Sequence, residues 1–143
     1  MINKVRVKIE STIENLDSAE LSEGDAEKTV TEAEGFYRFS EGSCFLNYTE
    51  DNEGGRCRTE VSCIGGAVTV RRSGSIESEM YFAEGESHSS IYSIPPYRFD
   101  TTVVTRRIRA ELNRDGGRID LFYNMKIGGA DKSARMRIWI SQP

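Results

Sequence analysis

The sequence predicts an all-β protein, an antiparallel closed or nearly closed β-barrel of eight to ten strands with at most one short helical turn. Three observations carry this. Apolar residues recur with period two in segment after segment, glycine-centred turns separate the segments at short spacing, and no stretch supplies the crossover helices that parallel strands need. The 143 residues suffice for one domain, 1–143, and leave little material for a second.

The segments follow in order. Val5, Val7 and Ile9 alternate with Arg6, Lys8 and Glu10, so one face is apolar and the other charged. Asn15 to Asp25 is the one place whose composition suits a helical turn or loop, because Leu16, Ala19 and Leu21 make too short a stripe for a packed helix. Cys44, Leu46 and Tyr48 share a face, as do Val68 and Val70, and then Ile76, Ser78, Met80 and Phe82. Further on come Val104, Arg106, Ile108, Ala110 and Leu112, then Ile119 through Ile127 at every second residue, then Ala134, Met136, Ile138 and Ile140. Turn residues stand between them at Glu41-Gly42-Ser43, Gly54-Gly55, Gly65-Gly66, Glu84-Gly85-Glu86, Asn113 to Gly117 and Gly128-Gly129. In a chain this short, a meander of such strands removes its exposed edges best by closing.

Composition narrows the function classes. With 37% hydrophobic and 29% charged residues and no long apolar run, the sequence predicts no membrane-spanning helix and no membrane partner. The opening residues alternate charged and apolar side chains without the continuous apolar stretch of a secretory signal, which points to a cytoplasmic protein. The net charge of −4 disfavours nucleic acid as a partner. Charge is uneven, −10 over residues 10–60 and +3 over 61–143, a distribution expected of solvated faces that partly neutralise each other. Cys57 and Cys63 lie six residues apart on one strand, about 20 Å at strand rise, so they cannot bridge each other, and the three cysteines read as reduced thiols.

Catalytic motifs are absent: there is no nucleophile elbow, paired-cysteine metal site, zincin helix or phosphate loop. His88 is the single histidine, set in Ser87-His88-Ser89-Ser90, and nothing in the sequence supplies a third group to orient it. The expectation is a protein without enzymatic activity, cofactor or metal.

The informative anomaly lies in the alternation. Arg72 continues the phase of Val68 and Val70, and Arg106 sits between Val104 and Ile108, so both guanidinium groups are expected inside, where an unpaired charge is costly. Two resolutions stand open. Glu50, continuing the Cys44–Leu46–Tyr48 phase, and the hydroxyls of Tyr48, Tyr92 and Tyr123 would close an internal network. Alternatively a guanidinium takes the carboxylate or phosphate of an amphipathic or anionic ligand whose apolar body lies against Met80, Phe82, Leu121 and Met125. A single bulge would reverse the phase of either arginine.

From Arg71 onward a wider likeness emerges. The run Arg72-Ser73-Gly74, Met80-Tyr81-Phe82, Glu84-Gly85, Tyr92, the turn Pro95-Pro96-Tyr97, Thr105 and the hairpin through Gly116-Gly117-Arg118-Ile119 resembles the DUF1934 family, the YwiB-like proteins. With Tyr48 and the first alternating strand, the likeness covers most of the chain. It implies a small calycin-type, lipocalin-like barrel and brings no established activity. Where the family usually has Thr-Pro-Tyr-Gly, this chain has Ile94-Pro95-Pro96-Tyr97-Arg98.

The reading is therefore a small barrel that binds an amphipathic or anionic molecule inside. Its alternative is an interaction module or subunit with no small-molecule ligand, docking through the acidic early strands, the Arg106-Arg107-Arg109 cluster, or Trp139 with Phe122.

Overall fold

A computed structural model describes residues 2–15, 26–52 and 54–143. Ten strands form one antiparallel sheet: β1 (Asn3–Asn15), β2 (Ala26–Ser40), β3 (Ser43–Asn52), β4 (Gly55–Ile64), β5 (Ala67–Gly74), β6 (Ser78–Phe82), β7 (Ser87–Ile94), β8 (Tyr97–Asn113), β9 (Gly116–Ile127) and β10 (Ala130–Ser141). Consecutive strands pair except β6 with β7, and β1 also pairs with β10, so the meander rolls round until its edges β6 and β7 meet. There the ladder shrinks to one bridge, in which Glu77 and Ser93 exchange backbone hydrogen bonds of 2.8 Å. The barrel is nearly closed, as the sequence predicts. The expected helical turn falls on 16–25, outside the described residues.

The glycines that set the register do so by backbone conformation. Arg114 and Asp115 form the two-residue β8–β9 turn, and Gly116 and Gly117 behind it have φ of 130° and 141°, a region that disfavours side chains.

Up-and-down connectivity puts the ends of the odd strands and the beginnings of the even strands at one end of the barrel. The other end is packed solid. Val5, Val7, Tyr37, Leu46, Val61, Phe82, Ile119, Leu121 and Ile138 fill it, each at most 2% exposed. At the first end the inward positions carry smaller groups, among them Ser11, Thr29, Thr31, Thr59 and Ser78, which do not fill the centre of a ten-stranded barrel. A cavity of about 460 Å³ remains there.

One strand departs from the expected alternation. On β8 the register slips between Thr105 and Arg107, so that Val103 and Thr105 face in before the bulge while Val104 and Arg106 face out. Arg106 is therefore exposed and is not an interior residue, because the extra residue at the bulge moves its side chain to the opposite face. Beyond the bulge Ile108 and Leu112 pack against the core in the expected phase.

Candidate functional site

The site grows from a row of three residues across three strands. Arg72, two positions beyond Val70 on β5, is the register partner of Thr59 on β4 and of Ser78 on β6. All three continue buried apolar phases, but only Arg72 lines the cavity, while Thr59 and Ser78 are packed within the wall beside it. Thr59 has no accessible surface and Ser78 is 8% exposed. Arg72 Nε is buried and makes no hydrogen bond among the described residues, nor does Ser78 Oγ beside it, while the Thr59 hydroxyl lies against the Tyr48 phenol. Buried polar atoms without partners are uncommon, and the one on Arg72 adjoins the cavity.

The phenols of Tyr48, Tyr92 and Tyr123 complete the lining around the guanidinium, and Glu50 lies above them on β3. Among the described residues Arg72 makes no direct ion pair, but Glu50 and the phenols of Tyr48, Tyr92 and Tyr123 still act on it electrostatically. Burial by itself lowers the pKa of Arg72, but Tyr48, Tyr92, Glu50 and Tyr123 outweigh it and the net shift is upward. The charge is held. Burial raises the phenol of Tyr48 and pushes Tyr123 up to about 12, although Arg72 acts on both in the opposite sense. Both therefore stay protonated and offer O–H donors into the cavity at neutral pH.

Toward the mouth the wall turns apolar, with Ile9, Ile13, Ile76, Ile127 and the three methionines Met80, Met125 and Met136. Glu27 and Lys132 stand on the rim, where Lys132 Nζ donates to Asn15 Oδ1 at 2.9 Å.

Of the residues expected to bind, Arg72, Tyr48, Glu50, Met80, Tyr92 and Tyr123 come together on this cavity. Phe82 does not. It is wholly buried in the packed end, with its ring edge-on to Tyr123 at 4.9 Å, because two residues of strand rise carry it below the floor that Met80 reaches. Leu121 is packed there too. Arg106 is outside with Arg107 and Arg109, as the bulge dictates. Met136 and the β2 threonines Thr29 and Thr31 complete the lining, whereas Thr59, a polar residue in the dry phase of Cys57, Val61 and Cys63, is wholly buried.

The outer wall covers its aromatics with cations. Arg135 lies 4.5 Å over Phe122, and Lys8 and Arg137 lie 5.4 and 5.9 Å from Trp139. Asp120, 3% exposed, accepts hydrogen bonds of 3.1 and 3.0 Å from Arg135. His88 packs against the Tyr81 ring, and the Ser89 hydroxyl pairs with Thr102 at 3.1 Å. Among the described residues no cluster of histidine, cysteine and carboxylate side chains could hold a metal, and no helix is long and apolar enough to cross a membrane.

Fold and site together define a small antiparallel β-barrel with an arginine lining its interior cavity. The chain belongs to the family described as Domain of unknown function (DUF1934), which matches residues 7–140. It is similar to the "Uncharacterized beta-barrel protein YwiB" of Bacillus subtilis (strain 168), with 28% identity over 106 residues, 74% of this chain and 75% of that one. The crystal structure of the ywiB protein from Bacillus subtilis superposes with a TM-score of 0.79 at 24% identity, covering 96% of this chain and 92% of that one, which shows a shared fold.

Proposed function

We propose that this barrel is a binding protein that holds a small amphipathic or anionic molecule in its interior without transforming it. One observation carries the reading: Arg72 lines a cavity of about 460 Å³ with a buried Nε that finds no hydrogen-bond partner among the described residues. An interior guanidinium left unpaired is destabilising, and replacing such a charge with an apolar side chain is often neutral or favourable. Its presence is accounted for by a ligand that supplies the missing acceptor. The size lies within the range of small-molecule sites, and an apolar wall with a few convergent polar groups is the composition such sites have. The absence of reaction rests on chemistry: the floor offers donors and a fixed cation but no nucleophile paired with a base.

Native mass spectrometry of the protein purified from its own cells, together with displacement of anilinonaphthalene sulfonate from the refolded chain, tests this. A co-purifying small molecule, or a dye displaced by amphipathic anions and excluded by a bulky Met80→Trp, is the expected result. A protein that carries nothing and takes up no dye or amphiphile would overturn it.

A second reading, an interaction module, is favoured by the β7–β8 hairpin, where Ile91, Ile94, Tyr97 and Phe99 are exposed. Sedimentation of the pure protein checks self-association through that hairpin, and a monomer unaffected by Tyr97→Ser and Ile94→Ser counts against it.

A further inference from the structure

We infer that the ligand is a single-chain aliphatic monocarboxylate bound head-down, its carboxylate on Arg72 among the phenols of Tyr48, Tyr92 and Tyr123 and its chain running outward along the methionine wall. This rests on the binding reading above and names its ligand class and orientation.

Polarity within the cavity sets the orientation. The guanidinium of Arg72 and the phenol donors of Tyr48, Tyr92 and Tyr123 lie together in the cavity, while Met125, Met136, Ile13 and Ile127 line the way to the mouth. An amphiphile inserted tail-first would leave the guanidinium facing methylene groups and its own head among isoleucines, desolvating both without compensation. Inserted head-first, it gives Arg72 Nε its acceptor and lets the surrounding phenols donate.

Charge decides the head. The cavity is lined by two cations, Arg72 and Lys132, and two carboxylates, Glu27 and Glu50. Lys132 is already engaged with Asn15 at the rim. A monoanion is met by Arg72 alone; a phosphate monoester brings a second charge toward Glu50 with no further cation on the floor. A planar carboxylate also matches the guanidinium fork, and the flanking hydroxyls take its remaining lone pairs.

Volume decides the tail. At about 30 Å³ per water-sized group, a cavity of about 460 Å³ takes roughly fifteen non-hydrogen atoms, the size of dodecanoate. Three methionines, unbranched and polarizable, suit a flexible chain better than a rigid ring.

The experiment is calorimetric titration of the delipidated protein with dodecanoate, dodecanol, dodecylamine and dodecyl phosphate, on the wild type, Arg72→Met and Arg72→Lys. Dodecanoate is expected to bind tightest. Arg72→Met is expected to weaken dodecanoate by about tenfold or more and to change dodecanol by less than about threefold, and Arg72→Lys to keep part of the preference. NMR of carboxyl-labelled dodecanoate adds an orientation readout, with the bound carboxylate titrating below its free value in the wild type and not in Arg72→Met. Tighter binding of dodecyl phosphate, or a preference unmoved by Arg72→Met, overturns this inference while leaving a binding barrel. Failure of all four amphiphiles on folded wild-type protein overturns the binding reading with it.

Discussion

Cys44 on β3 and Cys63 on β4 are direct register partners in the packed end of the barrel, both buried and both free thiols. Their side chains govern each other's ionisation. The Cys44 thiol, as a donor to a Cys63 thiolate, draws Cys63 down to about 7 against the burial that pushes it up, and Cys44 itself is raised by the same interaction and by burial. Replacing Cys44 by Ala removes the donor, so Cys63 is expected to rise toward the ordinary thiol range near about 8.5. Thiolate absorbance against pH, in a Cys57→Ala background, reads this directly. A Cys63 titration unmoved by Cys44→Ala would show that the pair does not interact.

Buried phenols make the barrel sensitive to alkali. Burial raises Tyr37, Tyr48 and Tyr123 above the value of about 10 that they have when unfolded, with Tyr123 at about 12. A raised acid stabilises the fold fully below its unfolded pKa, and that contribution is lost as the unfolded chain alone releases its proton. Stability is therefore expected to hold up to about pH 10 and to fall between about pH 10 and about pH 12. Urea midpoints followed across that range check it. Tyr37→Phe loses the hydrogen bond that the hydroxyl donates to the Asn113 carbonyl at 2.7 Å, costing about 1 kcal/mol at neutral pH, but makes the alkaline fall shallower.

The two ends of the barrel are expected to respond differently to the same kind of truncation. Leu121→Ala in the solid end leaves a void that its neighbours cannot close and is expected to cost about 2–5 kcal/mol. Ile127→Ala widens a cavity that already exists and is expected to cost under about 1 kcal/mol. Equal losses in chemical denaturation would contradict a cavity confined to one end.

Gly117 has φ of 141°, and a Cβ there would meet the Glu111 carbonyl oxygen across the β8–β9 pair. Backbone on both sides prevents relief, so Gly117→Ala is expected to destabilise by more than about 2 kcal/mol. A thermal midpoint within a few degrees of wild type would refute this.

On the outer wall, Asp120→Ala leaves Arg135 and Arg137 side by side without the carboxylate that holds them at 3.0 and 3.5 Å. Both arginines keep about a third of their surface in solvent, so the expected loss is about 1–2 kcal/mol and shrinks as salt is added. A double-mutant cycle with Arg135→Ala measures it.

The sequence by itself determined the class of fold, because period-two alternation and glycine turns are local properties and a helix-free chain of this length has few other ways to bury its strands. It also determined that Arg72 faces inward, since nothing between Val68 and Arg72 interrupts the pleat. Only the tertiary structure decided that Arg106, with an equal claim from its phase, lies outside. A bulge arises from how two strands fit round a curved wall and left no mark in the alternation of β8. The cavity, too, was a matter of assembly. Its lining joins Tyr48, Arg72, Tyr92 and Tyr123 from four strands, and whether Phe82 or Met80 borders it depends on how far residues from opposite walls reach toward the axis, a distance that no single strand encodes.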